Sequence, residues 1–339
     1  MTTLPVVDQA RSADDVLSRA RELVEPAHRA VIDTLPSPVR HIVGYHVGWW
    51  DAEGNPSDRN GKSVRPALVL AAAGAVGGER CAAVTEAVAV ELVHDFSLLH
   101  DDIIDGDPTR RHRPGAWSVF GVGPTILAGD TLLALASHIL AESPGLRSLT
   151  GAELGLCAGQ SADMAFEQRA DVSLAECVDM AVGKTAALLA CACELGAVAG
   201  GGDRRQCELL AEFGRRLGLA FQLTDDLLGI WGDPAVTGKP TNSDLANHKK
   251  SLPVVAALTS GTIPGDHLAL LYQGEKTDDR DTLGHMADLV EAAGGRAWGA
   301  CEAERQRDKA LALLAEAAPD VALAEDLRIL ADLMTHRDC

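Results

Sequence analysis

The sequence predicts a single all-helical domain with one central site. Three observations carry this. Ala, Leu, Glu and Arg dominate a chain of 339 residues that is 47% hydrophobic but only 4% aromatic, a composition that favours helix. No stretch alternates apolar and polar residues with period two for long enough to suggest a sheet. Polar motifs near residues 62, 94, 101, 184, 225 and 249 recur along the chain with no linker between them. One domain over 1–339 with one shared site is therefore more economical than two domains.

Taken in order, residues 14–34 read as an amphipathic helix, and 50–61, ending DAEGNPSDRNG, as a turn-rich loop. Helix resumes with a buried-looking apolar run at 64–76, then one long pattern over 82–105 that meets no Gly or Pro until Gly106. The segment 106–116, GDPTRRHRPGA, is a polar loop. Further helices are expected over 125–142, 150–168, 173–200, 204–231, 250–259, 281–293, 296–316 and 321–336, with a Gly-, Pro-, Thr- and Asn-containing loop at 232–249.

Composition also excludes. A net charge of −19 makes nucleic acid an unsuitable partner, because a phosphate backbone calls for a basic face. A diphosphate can still bind through local cations or through metal. The eight cysteines form no CxxC pair and suit no zinc site. Read as buried free thiols, they point to a reducing cytoplasm. Asp8 and Arg11 stand where an export signal needs an apolar run. No charge-free apolar stretch of about 20 residues is evident, so no membrane span is expected.

Two acidic clusters carry the chemistry. In LLHDDIIDGD, Asp101 and Asp105 share a helix face at i, i+4, with Asp102 beside them. Three carboxylates repel one another and meet the negative end of the helix dipole. Mg²⁺, a hard cation that takes carboxylates, water and phosphate oxygens, offsets that cost. In FQLTDDLLGIWGD, Asp225 and Asp226 again interrupt an apolar helix. Two such helices facing each other place carboxylates at the mouth of a bundle core.

Cations stand near these clusters: Arg110, Arg111 and Arg113 after the first, Lys62 and Arg65 in GKSVRP, Lys184 in GKTAALLA, and Lys239, Lys249 and Lys250 around the second loop. Guanidinium forks suit phosphate oxygens. His94 lies one to two turns before Asp101.

With GKSVRP, ELVHDFSLLHDD, DDIIDGDPTRRHRP, GKTAALL, FQLTDDLLGIWGD and GKPTNSDLANHKKSLP in this order from about residue 30 onward, the chain resembles the trans-prenyl diphosphate synthases of the polyprenyl synthetase family. The resemblance implies an isoprenoid-synthase helical bundle, a homodimer and three Mg²⁺ ions. It implies that Asp101, Asp102, Asp105, Asp225 and Asp226 bind metal. Arg110, Lys184, Gln222 and Lys239 would contact an allylic diphosphate, and Lys62, Arg65, His94 and Arg111 the diphosphate of isopentenyl diphosphate. Thr185 would lie near the reacting carbons, and Lys249 would reach in from a closing loop. Two departures stand out. Ser63 replaces a common basic residue, and Gly229 replaces the last aspartate of a DDxxD motif, with Asp233 one turn later as a substitute.

The reaction so implied is head-to-tail condensation of isopentenyl diphosphate with an allylic diphosphate. Phe96, five positions before Asp101, and the small Ser97, four before, resemble the pattern of geranylgeranyl-forming (C20) members. Farnesyl or longer products remain open. A class I terpene cyclase shares the aspartates but binds one diphosphate, so the second cation set argues against it. The scarcity of aromatics to steer a cation argues the same way. A regulatory subunit of a heteromeric synthase would tend to lose its aspartate motifs, and this chain keeps both.

Overall fold

Several helices begin where the sequence offers caps. Ser12 accepts from the Asp15 amide while Asp15 returns to the Ser12 amide, and Ser173 with Glu176 and Asp203 with Gln206 repeat this capping box. The computed structural model describes residues 12–57, 61, 63–111, 113–233 and 241–336. In order these form α1 (Ala13–Ile32), α2 (Ser37–Val47), α3 (Val64–Ala75), a 3-10 turn (Arg80–Ala83) and α4 (Val84–Ile104). A hairpin of β1 (Thr109–Arg110) and β2 (Arg113–Pro114) follows, then α5 (Ala116–Phe120), α6 (Val122–Ile139), α7 (Leu146–Phe166) and α8 (Leu174–Ala181). A π turn (Val182–Ala186) joins α8 to α9 (Ala187–Ala199), which precedes α10 (Arg204–Trp231). The remainder is the short helix Ser243–Ala246, then Leu252–Leu258, Ile263–Tyr272, Arg280–Ala292, Gly295–Ala317 and Val321–Thr335.

The all-helical reading holds. The long α10 packs between α9 and the helix Gly295–Ala317, while α3 lies against α9 and α4, and α6 covers α4. Apart from Arg65 and Glu194, α3 and α9 are apolar around their circumference and accordingly mostly buried. Gly196 and Gly200 let α9 approach the α3 backbone. A Cβ at Gly196 would stand 2.1 Å from the Val69 carbonyl oxygen.

Several details differ from the sequence reading. α2 and the helix Ile263–Tyr272 were not expected, because both open at proline-bearing segments that read as turns. Proline in the first helical turn lacks only an amide that has no partner there anyway. The loop at 106–116 contains a two-residue antiparallel hairpin in which Arg110 pairs with Arg113. The helix expected over 173–200 runs through Leu174–Ala199 but carries the π turn inside it. Two helical stretches, Val122–Ile139 and Leu174–Ala199, are long and apolar enough to cross a membrane, with mean hydropathies of 1.2 and 1.5. Both carry charged residues, Asp130 in the first and Glu176, Asp179, Lys184 and Glu194 in the second, so neither is a charge-free stretch. The second is largely packed inside the bundle, whereas the outer face of α6 exposes Val122, Ile126 and Leu127.

Candidate active site

The acidic and basic motifs converge where the C-terminal end of α4 meets α7, the π turn and α10. Asp101 and Asp102 occupy the last turn of α4 and Asp105 caps it. Arg110, turned back by the hairpin, donates from Nε to Oδ1 of Asp102 at 2.7 Å, and Asp102 is only 2% exposed. Lys184 places Nζ 3.5 Å from Oδ1 of Asp101 and 2.6 Å from Oδ2 of Asp163 on α7. Burial works against the Lys184 charge, but Asp101 and Asp163 outweigh it and raise the ammonium above its usual range. Asp105 faces open space, yet the protein mass around it and the Asp101 carboxylate push it up to about 6.

Lys184 and Thr185 owe their placement to the π turn, which inserts one extra residue and re-aims the side chains after it. Glycines let α7 pack directly on it. A Cβ at Gly159 would stand 2.2 Å from the Lys184 amide nitrogen, and one at Gly183 2.7 Å from the Gly155 carbonyl oxygen. Thr185 donates from Oγ1 to Gln222 Oε1 at 2.5 Å, and Gln222 Nε2 donates to Oδ1 of Asp226 at 2.7 Å. The Leu252 amide donates to the other Asp226 oxygen at 2.9 Å. Asp226 is thus engaged within the protein, and burial pushes it up to about 7. Asp225, its neighbour, is exposed and close enough to Arg65 to support that charge. The two aspartates of the second motif therefore differ: Asp226 orders Gln222 and the start of Leu252–Leu258, while Asp225 stays on the open side.

Gly229 is occupied by proxy. A Cβ there would stand 2.6 Å from Oδ2 of Asp244, so the Asp244 carboxylate, on the short helix Ser243–Ala246, fills the space an aspartate at 229 would enter. Asp233 lies exposed beyond it. Burial opposes the charge of Lys249, but Asp244, Asp226, Asp163 and Asp105 together raise it. One lysine is thereby shared among carboxylates of four elements.

Arg65, His94 and Arg111 of the second cation set lie near one another. An Arg65 guanidinium nitrogen lies 3.0 Å from Nε2 of His94. Arginine has only donors, so Nε2 accepts and the imidazole proton sits on Nδ1. Burial, then Arg65 and Arg111, hold His94 well below the usual histidine range. Arg111 has a left-handed backbone (φ 50°), and its guanidinium lies against Gly61, where a Cβ would stand 2.9 Å away. Arg21 on α1 donates to the Gly61 carbonyl at 3.0 Å and fixes that loop. Lys62 and Lys239 lie outside the described residues. Ser97 donates to the His94 carbonyl at 2.7 Å, and Phe96 is buried against His100, ring centroids 4.8 Å apart. A groove of about 930 Å³ along the other face of α7 holds neither acidic motif; charge convergence, not cavity size, identifies the site.

Sequence reasoning missed Asp163 and Asp244. Asp163 follows Gln160 by three positions on α7, a polar i, i+3 pair in an otherwise small and apolar helix that could have been found. Asp244 offered no such sign, because only the folded loop brings it to Gly229.

Residues 55–290 match the family model described as polyprenyl synthetase. The chain is 45% identical over 332 residues to a (2E,6E)-farnesyl diphosphate synthase of Mycobacterium tuberculosis, covering 95% of this chain and 92% of that protein. It is 43% identical over 332 residues to a geranylgeranyl diphosphate synthase of the same organism, covering 96% and 94%. The crystal structure of a polyprenyl synthetase from Streptomyces coelicolor A3(2) superposes with a TM-score of 0.91 at 45% identity, covering 96% of this chain and 100% of that one. The chain belongs to the polyprenyl synthetase family. As a trans-prenyl diphosphate synthase it is a prenyltransferase of isoprenoid biosynthesis, and the cyclase reading finds no support. The family uses Mg²⁺ to bind diphosphate, and the residues of this polyprenyl synthetase fit that ion. Oδ1 of Asp101 is buried with no hydrogen-bond partner, and Asp101, Asp105 and Asp225 are hard oxygen donors. Among the described residues no three such groups gather tightly enough to hold an ion alone. An ion here would share its shell with water and diphosphate oxygens, as Mg²⁺ prefers.

Proposed function

We propose that this prenyltransferase condenses isopentenyl diphosphate with an allylic diphosphate and releases geranylgeranyl diphosphate. The observation that carries the C20 assignment is the pairing of a buried Phe96 with the small Ser97. Five residues along α4 from Asp101 correspond to about 7.5 Å of depth, so the Phe96 ring stands as a floor under a chain growing down the helix. His100 braces it. Its ring packs on Phe96, its Nε2 lies 3.0 Å from the Ile126 carbonyl, and Gly129 leaves the notch it fills. Similarity alone does not choose the product, since farnesyl- and geranylgeranyl-forming relatives stand at 45% and 43% identity.

In this reading Asp101, Asp102, Asp105, Asp225 and Asp226 serve up to three Mg²⁺ ions, Asp226 in part by ordering Gln222. Bound magnesium would neutralise the departing diphosphate. Arg110, Lys184, Gln222, Lys239 and Lys249 hold the allylic diphosphate. Lys62, Arg65, His94 and Arg111 hold that of the second substrate. Thr185 lines the reacting carbons, and the aliphatic flanks of the motifs keep out water that would quench an allylic cation. The exposed apolar face of α6 fits a homodimer, and the free thiols fit a cytoplasmic protein.

The test is a product assay with Mg²⁺ and isopentenyl diphosphate plus each of the C5, C10 and C15 allylic diphosphates. C20 diphosphate as the end product from all three supports the assignment; accumulation at C15, or chains beyond C20, removes it. Asp101→Ala and Asp225→Ala, made separately, should each abolish turnover, and near-normal rates in either would sink the metal-site reading.

A further inference from the structure

Behind the second cation set lies a buried polar cluster that the reaction does not use directly. Asp95 on α4, His28 on α1 and His46 on α2 are 4%, 5% and 7% exposed. Oδ1 of Asp95 is 3.5 Å from Nε2 of His46, and Oδ2 is 3.9 Å from Nε2 of His28. Both contacts are longer than an ordinary hydrogen bond, and Nε2 of His28, Nε2 of His46 and Oδ2 of Asp95 are buried without a well-formed partner. Burying a charge this way is costly and is weak evidence for a stabilising role. Burial would raise Asp95, yet His46, His28 and Arg111 hold it below the usual carboxylate range. Glu91, one turn earlier, is instead pushed up to about 7 by burial and by Asp95. The pair thus concentrates negative charge at Asp95, facing the two histidines and the arginines.

The other side of α2 shows what this charge is coupled to. Tyr45, adjacent to His46, donates its hydroxyl to the Pro114 carbonyl at 2.8 Å. Arg113 stacks over the Tyr45 ring at 4.4 Å and donates to the Tyr45 carbonyl. Pro114 and Arg113 form the returning strand of the hairpin whose outgoing strand ends in Arg110, with Arg111 at its turn. His46, Asp102, Arg110 and Arg111 line one small cavity of about 20 Å³. α2 is therefore a wedge between Asp95 and the arginine hairpin. Arg110 has its own anchor in Asp102. Arg111, with its left-handed backbone and its guanidinium against Gly61, depends on where the hairpin sits.

We propose that Asp95 is a positioning residue that acts through His46 and the α2 wedge to set Arg111 over the isopentenyl diphosphate site. This rests on the assignment of Arg65, His94 and Arg111 to that substrate. The role falls mainly on one half of the reaction, because Arg110, although on the same hairpin, is held separately by Asp102, and Lys184 by Asp101 and Asp163.

The experiment is steady-state kinetics of Asp95→Asn and, as a second route to the same contact, His46→Gln. Each substrate is varied at saturating levels of the other, and thermal unfolding is followed alongside. KM for isopentenyl diphosphate should rise roughly tenfold in each variant, the low end of what is lost with an outer-shell partner of a metal ligand, while KM for the allylic diphosphate stays within about twofold of wild type. Equal changes in both KM values accompanying a lower melting temperature would show a merely structural role and overturn the proposal. So would unchanged kinetics in a folded variant. A wild-type enzyme that turned over an allylic diphosphate without isopentenyl diphosphate would overturn the proposed function as well, so the two failures are distinct.

Discussion

Gly159→Ala tests whether the close crossing of α7 on the π turn sets the site. The added Cβ would meet the Lys184 amide nitrogen at 2.2 Å, the Gly183 carbonyl carbon at 2.8 Å and the Lys184 Cα at 2.8 Å. All three are backbone atoms inside helix, so no side chain can swing aside. The first contact falls about 1 Å short of ordinary van der Waals separation. Either α7 or the π turn must therefore move by about that distance. Lys184 Nζ, now 2.6 Å from Asp163 and 3.5 Å from Asp101, would move with it, as would the Thr185–Gln222 contact. Overpacking of this kind costs roughly 1–3 kcal/mol of stability. Misplacing binding groups by about 1 Å costs up to about 100-fold in rate. The assay is kcat/KM for both substrates together with thermal unfolding. Gly151→Ala, on the same helix with nothing within 4 Å of the new methyl, is the control, and should stabilise the helix by about 0.5–1 kcal/mol. A Gly159→Ala enzyme with wild-type kcat/KM and melting temperature would refute the argument that this crossing positions Lys184.

Other outcomes follow from the same geometry. Phe96→Ala should lengthen the product and Ser97→Phe should shorten it, read by chromatography of dephosphorylated products; unchanged profiles in both would remove Phe96 as the floor. Glu153, on α7, has a buried oxygen with no hydrogen-bond partner, and burial pushes its carboxyl up to about 7. A carboxyl that binds its proton more tightly when folded costs stability as pH rises, here between its ordinary value of 4.5 and about 7. Glu153→Gln should thus raise the melting temperature at pH 8 but little at pH 4, and an equal gain at both would contradict the burial argument. Asp244→Asn should weaken the hold on Lys249 and raise KM for the allylic diphosphate more than for isopentenyl diphosphate; the reverse order would place Lys249 with the other substrate.

The family and its reaction were legible because they reside in short contiguous motifs. DDIIDGDPTRRHRP, GKTAALL and FQLTDDLLGIWGD each juxtapose charge with aliphatic flanks, a pattern that neighbouring residues alone display. The capping boxes at Ser12, Ser173 and Asp203 are legible for the same reason, since cap and partner lie three residues apart. The π turn was not legible. VGKTA is weak in helix propensity at Val182, Gly183 and Thr185, but that weakness does not tell a π turn from an ordinary helical turn; the extra residue is accommodated because Gly155, Gly159 and Gly183 allow two backbones to meet. α2 was missed because its proline-rich start reads as a turn until its buried face finds α4 and α6.

By itself the sequence determined the helical class and displayed the two carboxylate clusters and the cations on which the synthase reading rests. Hydrophobic periodicity and charge spacing are local properties that survive without coordinates. Only the tertiary structure decided how those charges are shared. It turned Asp226 inward to Gln222 and Leu252, put the Asp244 carboxylate where Gly229 leaves room, gave Lys184 to Asp163 as well as Asp101, and set the buried Asp95 between two histidines. Each of these pairs residues at least 15 positions apart, or selects between adjacent aspartates of the same type. Electrostatic partnership depends on distance and burial, and neither is written in the order of residues along the chain.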